Sequence, residues 1–289
     1  MTRVIILVLT LFFVCSENMN AQELSYGFRV GLNVSSLTGG ETEIGESYSS
    51  NTGFHVGGGV RFEITDLFGI RGEVVFTQKG TKQTFEGNGP FIFRGANDKI
   101  LTTGNKSVSL NIANAYLEIP IMVYGKIGKK VEVFGGGYAG FLVGSTASGE
   151  LIYTDGRVEG NNNIIDPLNL TLDYNYNKQN AGELINDVEN ISLQVGAETV
   201  EIPNTLSAYY GLDSKTGKPY KVFDAGVSAG AAFFLNGGLY FSAIANYGLI
   251  DVTNSDLDFS NTDITGFDFN TRDDKDKNLS FQFSLGFSF

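Results

Sequence analysis

Tryptophan is absent from the 289-residue chain, histidine and cysteine occur once each, and proline occurs 5 times. Each scarcity excludes something. A lone cysteine forms no internal disulfide, so no cross-link holds the fold together. A lone histidine restricts any histidine-based catalytic set to His55. Lysine and arginine total 20 against 32 acidic residues, a net charge of −12 that argues against nucleic acid as a partner. Long apolar runs are missing too. Val4 to Cys15 is the longest, too short to span a bilayer as a helix, and nothing after it resembles a transmembrane helix.

That run follows Thr2-Arg3 and precedes a polar stretch ending Met19-Asn20-Ala21, the layout of a secretory signal peptide cut after Ala21. The expected organisation is a signal peptide over residues 1–21 and one domain over 22–289. A retained anchor suits the short run less well. A lipid-attachment role for Cys15 is disfavoured because no small residues precede it.

What the chain has in quantity is glycine, 37 residues, together with 23 Phe and 13 Tyr, a mix that favours strands with close backbone contacts. Period-2 alternation recurs throughout. In the closing LSFQFSLGFSF, Leu279, Phe281, Phe283, Leu285, Phe287 and Phe289 alternate with Ser280, Gln282, Ser284, Gly286 and Ser288. Similar stretches start near Leu24, Phe54, Ile70, Leu117, Phe223 and Leu239, and Val131 to Val143 is an apolar strand of less certain phase. Together these make eight strands.

The connections decide what the greasy faces meet. Residues 66–68, 128–130 and 236–238 are tight turns, whereas 39–52, 87–106, 148–222 and 251–277 are long and polar. Short turns at one rim and long loops at the other are the pattern of an outer-membrane barrel. Eleven residues tilted by about 40° cover roughly 27 Å, enough to cross. The expected fold is therefore all-β: an eight-stranded antiparallel up-and-down transmembrane β-barrel with short periplasmic turns and long extracellular loops. A soluble lipocalin-like barrel fits less well. In loop 148–222, extra strands forming a cap are expected, with a helical turn or two at Ala181 to Val188; a ten-stranded barrel is the competing reading. Apolar Val108, Leu110 and Ile112 lie on the opposite phase to Leu117 to Val123, which predicts a bulge near Ala113-Asn114-Ala115.

The stretches FHVGGGVRFEITDLFGIRGEVVFTQKGTK (54–82), AYLEIPIMVYGKI (115–127), VFGGGYAGFLVGS (133–145), FDAGVSAGAAFF (223–234) and the closing strand resemble the PorT-like outer-membrane β-barrel family. The resemblance implies export, an eight-stranded barrel in the outer membrane and, for the family's named member, a link to protein secretion. The terminal Phe289 resembles the signal read by barrel-assembly machinery. The long loops match nothing in that family.

With apolar side chains turned to lipid, the alternate positions place Arg29, Arg61, Glu63, Arg71, Glu73, Glu118, Lys126, Glu132 and Asp224 in the lumen. Charge repulsion predicts Glu63 opposite Arg71 and Arg61 opposite Glu73, rather than Arg61 against Arg71. Lys126 is expected opposite Glu132. Paired charges plugging the lumen is the leading expectation; a narrow channel is the alternative.

A lipid-modifying enzyme would need His55 near the outer rim with Ser35 and Asp224, and no motif supports one. The eight aspartates of 251–277 lack the spacing of a calcium-binding EF-hand loop. No catalytic residue, metal or cofactor is expected. The expected partners are outer-membrane lipid and lipopolysaccharide, the assembly machinery, and a protein or glycan at the long loops, giving a structural or interaction role.

Overall fold

The computed structural model describes residues 24–39, 43–94, 99–160, 163–185, 190–195, 198–235, 237–273 and 275–289. The expected signal peptide lies outside them. Strands dominate, because alternating apolar and polar residues separate cleanly onto the two faces of a pleated sheet. The first five are long: β1 (Leu24–Thr38), β2 (Glu46–Thr65), β3 (Phe68–Arg94), β4 (Lys99–Ile127) and β5 (Val131–Val158). Four short ones follow: β6 (Leu168–Asn175), β7 (Asn190–Val195), β8 (Glu198–Pro203) and β9 (Thr205–Leu206). The rest are β10 (Phe223–Phe234), β11 (Leu239–Gly248), β12 (Phe259–Thr265), β13 (Asp268–Thr271) and β14 (Lys277–Ser288).

Strands β1 to β5, β10, β11 and β14 form a closed antiparallel ring, sealed where β5 pairs with β10 and β14 with β1. The ring closes without β6 to β9, so the reading in which loop 148–222 adds two strands to the barrel does not hold. At one rim, Asp66-Leu67 joins β2 to β3 and Gly128-Lys129-Lys130 joins β4 to β5. The β10–β11 turn is also there, though residue 236 lies outside the described residues. The positive φ of +65° at Gly128 suits a residue without a Cβ. Phe289 closes the same rim, its backbone exchanging hydrogen bonds of 2.9 Å with Tyr26.

Around the ring the apolar side chains point outward. Phe281 and Phe283 are 44% and 56% exposed, and Leu32, Phe54, Ile121, Val123, Phe141 and Phe241 share the same outer surface. A continuous apolar belt of this extent is not tolerated in water by a monomeric soluble protein.

Beyond the belt the wall keeps rising. Of residues 87–106, expected as a loop, 87–94 and 99–106 instead extend β3 and β4 with unbroken pairing from Gly80↔Ala113 to Arg94↔Lys99, while 95–98 lie outside the described residues. The physical reason is a change of surroundings. Here the inner face is apolar, with Phe85, Phe93, Leu110 and Ile112 buried, while Asn111 and Asn105 point out. The same inversion removes the bulge expected at 113–115. Inward positions of β4 stay even-numbered from Leu110 to Tyr124, so no phase shift occurs on that strand. A bulge sits across from it on β5: Ala115 pairs with Gly144 and Tyr116 with Leu142, leaving Val143 unpaired. Past Val143 the inward positions of β5 switch from even to odd.

Segment 148–222 carries a cap of extra strands. β6 pairs with upper β5, β9 joins β6 in parallel, and β7–β8 form a hairpin. Leu170, Val195, Val200, Ile202 and Tyr209 are buried in its apolar core beside Phe93 and Tyr153. No helix forms at Ala181 to Ile185; Leu184 instead bridges to Leu206, and residues 186–189 lie outside the described residues. The β12–β13 hairpin and a 3-10 turn at Ser255–Leu257 complete the cap.

Candidate functional site: the barrel lumen and the cap above it

The lumen fills in layers. At the short-turn rim Lys126 pairs with Glu63. Lys126 does lie opposite Glu132 in the ladder, yet Glu132 reaches across the lumen to Arg61 and to Arg71, the latter at 3.4 Å. Glu73 then binds both Arg71 and Arg29 at 2.8 Å.

The β2–β3 register differs from the one expected. Arg61 stands opposite Arg71, and Glu73 and Glu63 stand opposite glycines, Gly59 and Gly69. Space rather than charge selects this register. A Cβ on Gly59 would lie 2.7 Å from Glu73 Cγ, and one on Gly69 2.6 Å from the Tyr124 hydroxyl. Bulky inward side chains therefore lean over a neighbour that has none. The two guanidinium groups diverge onto different rings, Arg61 over Tyr124 at 4.6 Å and Arg71 over Phe134 at 3.9 Å. Glu132 bridges them, which offsets their repulsion.

His55 lies half-way along the lumen, not near the outer rim, and is fully buried. Its Nδ1 hydrogen-bonds Asn33 Oδ1 at 2.6 Å and its Nε2 meets Ser284 Oγ at 2.7 Å. Asn33 donates onward to Thr77 Oγ1 at 2.8 Å, and Arg29 donates to Gln282 at 2.9 Å. Gly31 makes the room, since a Cβ there would lie 2.8 Å from the imidazole Cε1. Neither residue considered as a catalytic partner touches His55: Ser35 Oγ donates to the Gly80 carbonyl at 3.0 Å, and Asp224 belongs to the next layer.

That layer centres on Lys79, wholly buried, with Glu118 at 2.5 Å and Asp224 at 3.4 Å. Tyr138 and Asn278 also donate to Asp224, at 3.2 and 3.0 Å. Lys79 is the site residue that sequence reasoning missed. The alternation that starts at Ile70 runs on past Phe76, so that Val75, Thr77 and Lys79 share one inward face. Adding it makes the network formally neutral: three arginines and two lysines against four glutamates and one aspartate. Beside Arg29, Arg71 and Glu73 lies a gap of about 20 Å³, room for little more than one water.

Above Lys79 the polar filling gives way to the apolar cap. Its outer seam is held by Arg272, which binds Glu46 and Asp258, each at 2.6 Å. Tyr176 packs edge-on against Tyr209 and Tyr220, and burial raises the phenol pKa of all three. Lys106, half-buried at the cap wall, is pushed down to about 8 by burial. The aspartates of 251–277 disperse: Asp251 pairs with Lys221, Asp258 with Arg272, and Asp273 accepts from Ser255. Among the described residues, which exclude Asp274, no three acidic, histidine or cysteine side chains gather into a metal-binding group.

A closed ring, an apolar belt facing out and charges facing in define an outer-membrane β-barrel protein. The chain belongs to the outer membrane protein β-barrel domain family, whose match covers residues 20–254. No curated protein sequence matches it. Among solved structures it is similar to Ail, the attachment invasion locus protein of Yersinia pestis, at 11% identity and a TM-score of 0.36, covering 92% of this chain and 99% of that one. It is also similar to OprG of Pseudomonas aeruginosa, at 9% identity and a TM-score of 0.36, covering 92% and 95%. A third is Neisserial surface protein A, at 9% identity and a TM-score of 0.33, covering 92% and 99%.

Proposed function

We propose that the protein is a non-conducting, non-enzymatic anchor that holds a folded headpiece outside the cell. In this reading eight strands cross the outer membrane, the tight turns face the periplasm, and the cap carries out binding at the surface. One observation supports it above the others: the lumen is filled by a charge-neutral network, while the cap above it has an apolar core of its own. An eight-stranded ring is only wide enough for side chains to fill it. Among the described residues the lumen charges are bound to one another across the ring, which favours a plug over a path for ions. Both ring nitrogens of His55 are taken up by Asn33 and Ser284, and its burial supports a structural role over a catalytic one. Contact with a secreted protein or a glycan would fall to the outer surface of the headpiece.

Planar-bilayer recording on the purified full-length protein tests this reading. The expected trace is flat; steady ohmic steps that persist across preparations would overturn it.

A further inference from the structure

Within the cap lies a cavity of about 300 Å³, between the β3–β6 wall and the segments 206–220 and 253–261. Phe85, Phe91, Leu110, Leu172 and Tyr174 are among the side chains that line it, and its surface is mainly apolar. Several polar side chains at its edge are engaged elsewhere. Gln83 donates to Glu46 at 2.6 Å, Asp258 binds Arg272 at 2.6 Å, and the Tyr209 hydroxyl donates to the Tyr176 carbonyl at 2.9 Å.

Of the two charged side chains that line the cavity, Asp258 has its ion pair and Lys106 has none among the described residues. Its Nζ donates to the Asn261 carbonyl at a long 3.3 Å and stands 5.6 Å from the centre of the Phe85 ring. Among the described residues no carboxylate forms an ion pair with it, in contrast to Lys79, Lys99, Lys126 and Lys221. The carboxylate that acts on Lys106 from a distance, Glu43, accepts instead from the Asn261 amide at 2.8 Å. A cation held at an apolar wall without an ion pair is costly, and burial outweighs the pull of Glu43 and lowers the Lys106 pKa. A bound anion would remove that cost.

The geometry points to the cap cavity as a binding site for a small monoanionic amphiphile, an aromatic or medium-chain carboxylate, with its acid group on Lys106 Nζ and its apolar body against Phe91, Leu172 and Tyr174. Size narrows the choice. A dry cavity of about 150 Å³ accepts a benzene ring, so 300 Å³ suits two fused rings or a chain of comparable bulk. Sugars fit poorly, because their hydroxyls would be buried against hydrocarbon with few free partners. The proposal deepens the reading of the cap as the working part of the molecule and rests on it.

The test is calorimetry on the full-length protein in lipid nanodiscs, with 2-naphthoate and its neutral analogue 2-naphthylmethanol as probes and empty nanodiscs as the reference. Wild type should bind naphthoate saturably, one per chain, about tenfold or more tighter than the alcohol, as expected of a charge-assisted hydrogen bond. Lys106→Met should lose that advantage for naphthoate and leave the alcohol unchanged. Leu172→Trp, which fills the cavity, should weaken both. Absence of saturable binding to wild type, or equal naphthoate affinity in Lys106→Met, would overturn the site. Bilayer recording keeps the two ideas apart: conductance with naphthoate bound defeats the anchor and leaves the site, while a silent bilayer without binding does the reverse.

Discussion

The lower and upper halves of the same strands are built inside out relative to each other. Along β4, Leu117, Ile119, Ile121 and Val123 face outward as an apolar row over inward Glu118 and Met122, whereas nearer the cap Asn111 faces outward over inward Leu110 and Ile112. On β4 the backbone alternation never changes; the solvent does. In the lower half hydrocarbon surrounds the ring and the polar groups must satisfy one another inside it. In the upper half water surrounds the wall, and the hydrophobic effect draws side chains inward in the ordinary way. Strand phase therefore reports which side a residue is on, and only the run of residue types along each side reports where the membrane ends.

The comparison predicts different failures in the two halves. The largest effect should come from Lys79→Met. Removing it leaves Glu118 and Asp224 buried without their cation, a loss of about 3–5 kcal/mol. Urea unfolding in lipid vesicles, followed by far-ultraviolet circular dichroism, would measure it. Adding Glu118→Gln should restore part of the loss; a single variant as stable as wild type would mean that the lumen network is not what holds the lower half.

A smaller effect should separate two outward positions on β4. Ile121→Arg puts a charge into lipid and should cost about 2–4 kcal/mol, whereas Asn111→Ile should stay within about 0.5 kcal/mol. Equal costs at the two sites would place the water boundary elsewhere.

The smallest effect is a pH slope confined to the cap. Below about pH 8 Lys106 is protonated in both folded and unfolded chains and contributes no slope. Between about 8 and the ordinary lysine value of 10.5 the unfolded chain holds the proton that the folded cap has released, so stability should rise with pH. Buried tyrosines act oppositely at the upper end, since the unfolded chain ionises them first. Amide hydrogen exchange across the cap from pH 7.5 to about 9.5, corrected for intrinsic rates, should show the rise in wild type and lose it in Lys106→Met.

Much of the ring was legible in the sequence, because lipid demands a strict apolar row on every crossing strand. The tight turns at Asp66-Leu67 and Gly128-Lys129-Lys130 and the inward charges all follow from that rule. The β2–β3 register was not legible, because it depends on which volumes interlock, with Glu73 over Gly59, and charge pattern alone pointed to the wrong partner. The upper β3–β4 hairpin was hidden for a related reason. Outward Asn and Ser residues look like loop composition until Phe91, Phe93 and Leu110 are seen to share a buried face. Lys79 was missed because a polar residue near an expected strand end was taken as the end itself.

The unpaired Val143 on β5 has a consequence for how such a molecule can diversify. Up to Phe141 the strand is stitched to β10, and from Thr146 onward to β6, so one spare residue turns a cylinder into an open cup. Everything below that seam answers to the bilayer and has little freedom to change. Everything above it is released from that demand, so in the reading of the cap as a surface headpiece that portion has room to change while the stave beneath stays as it is.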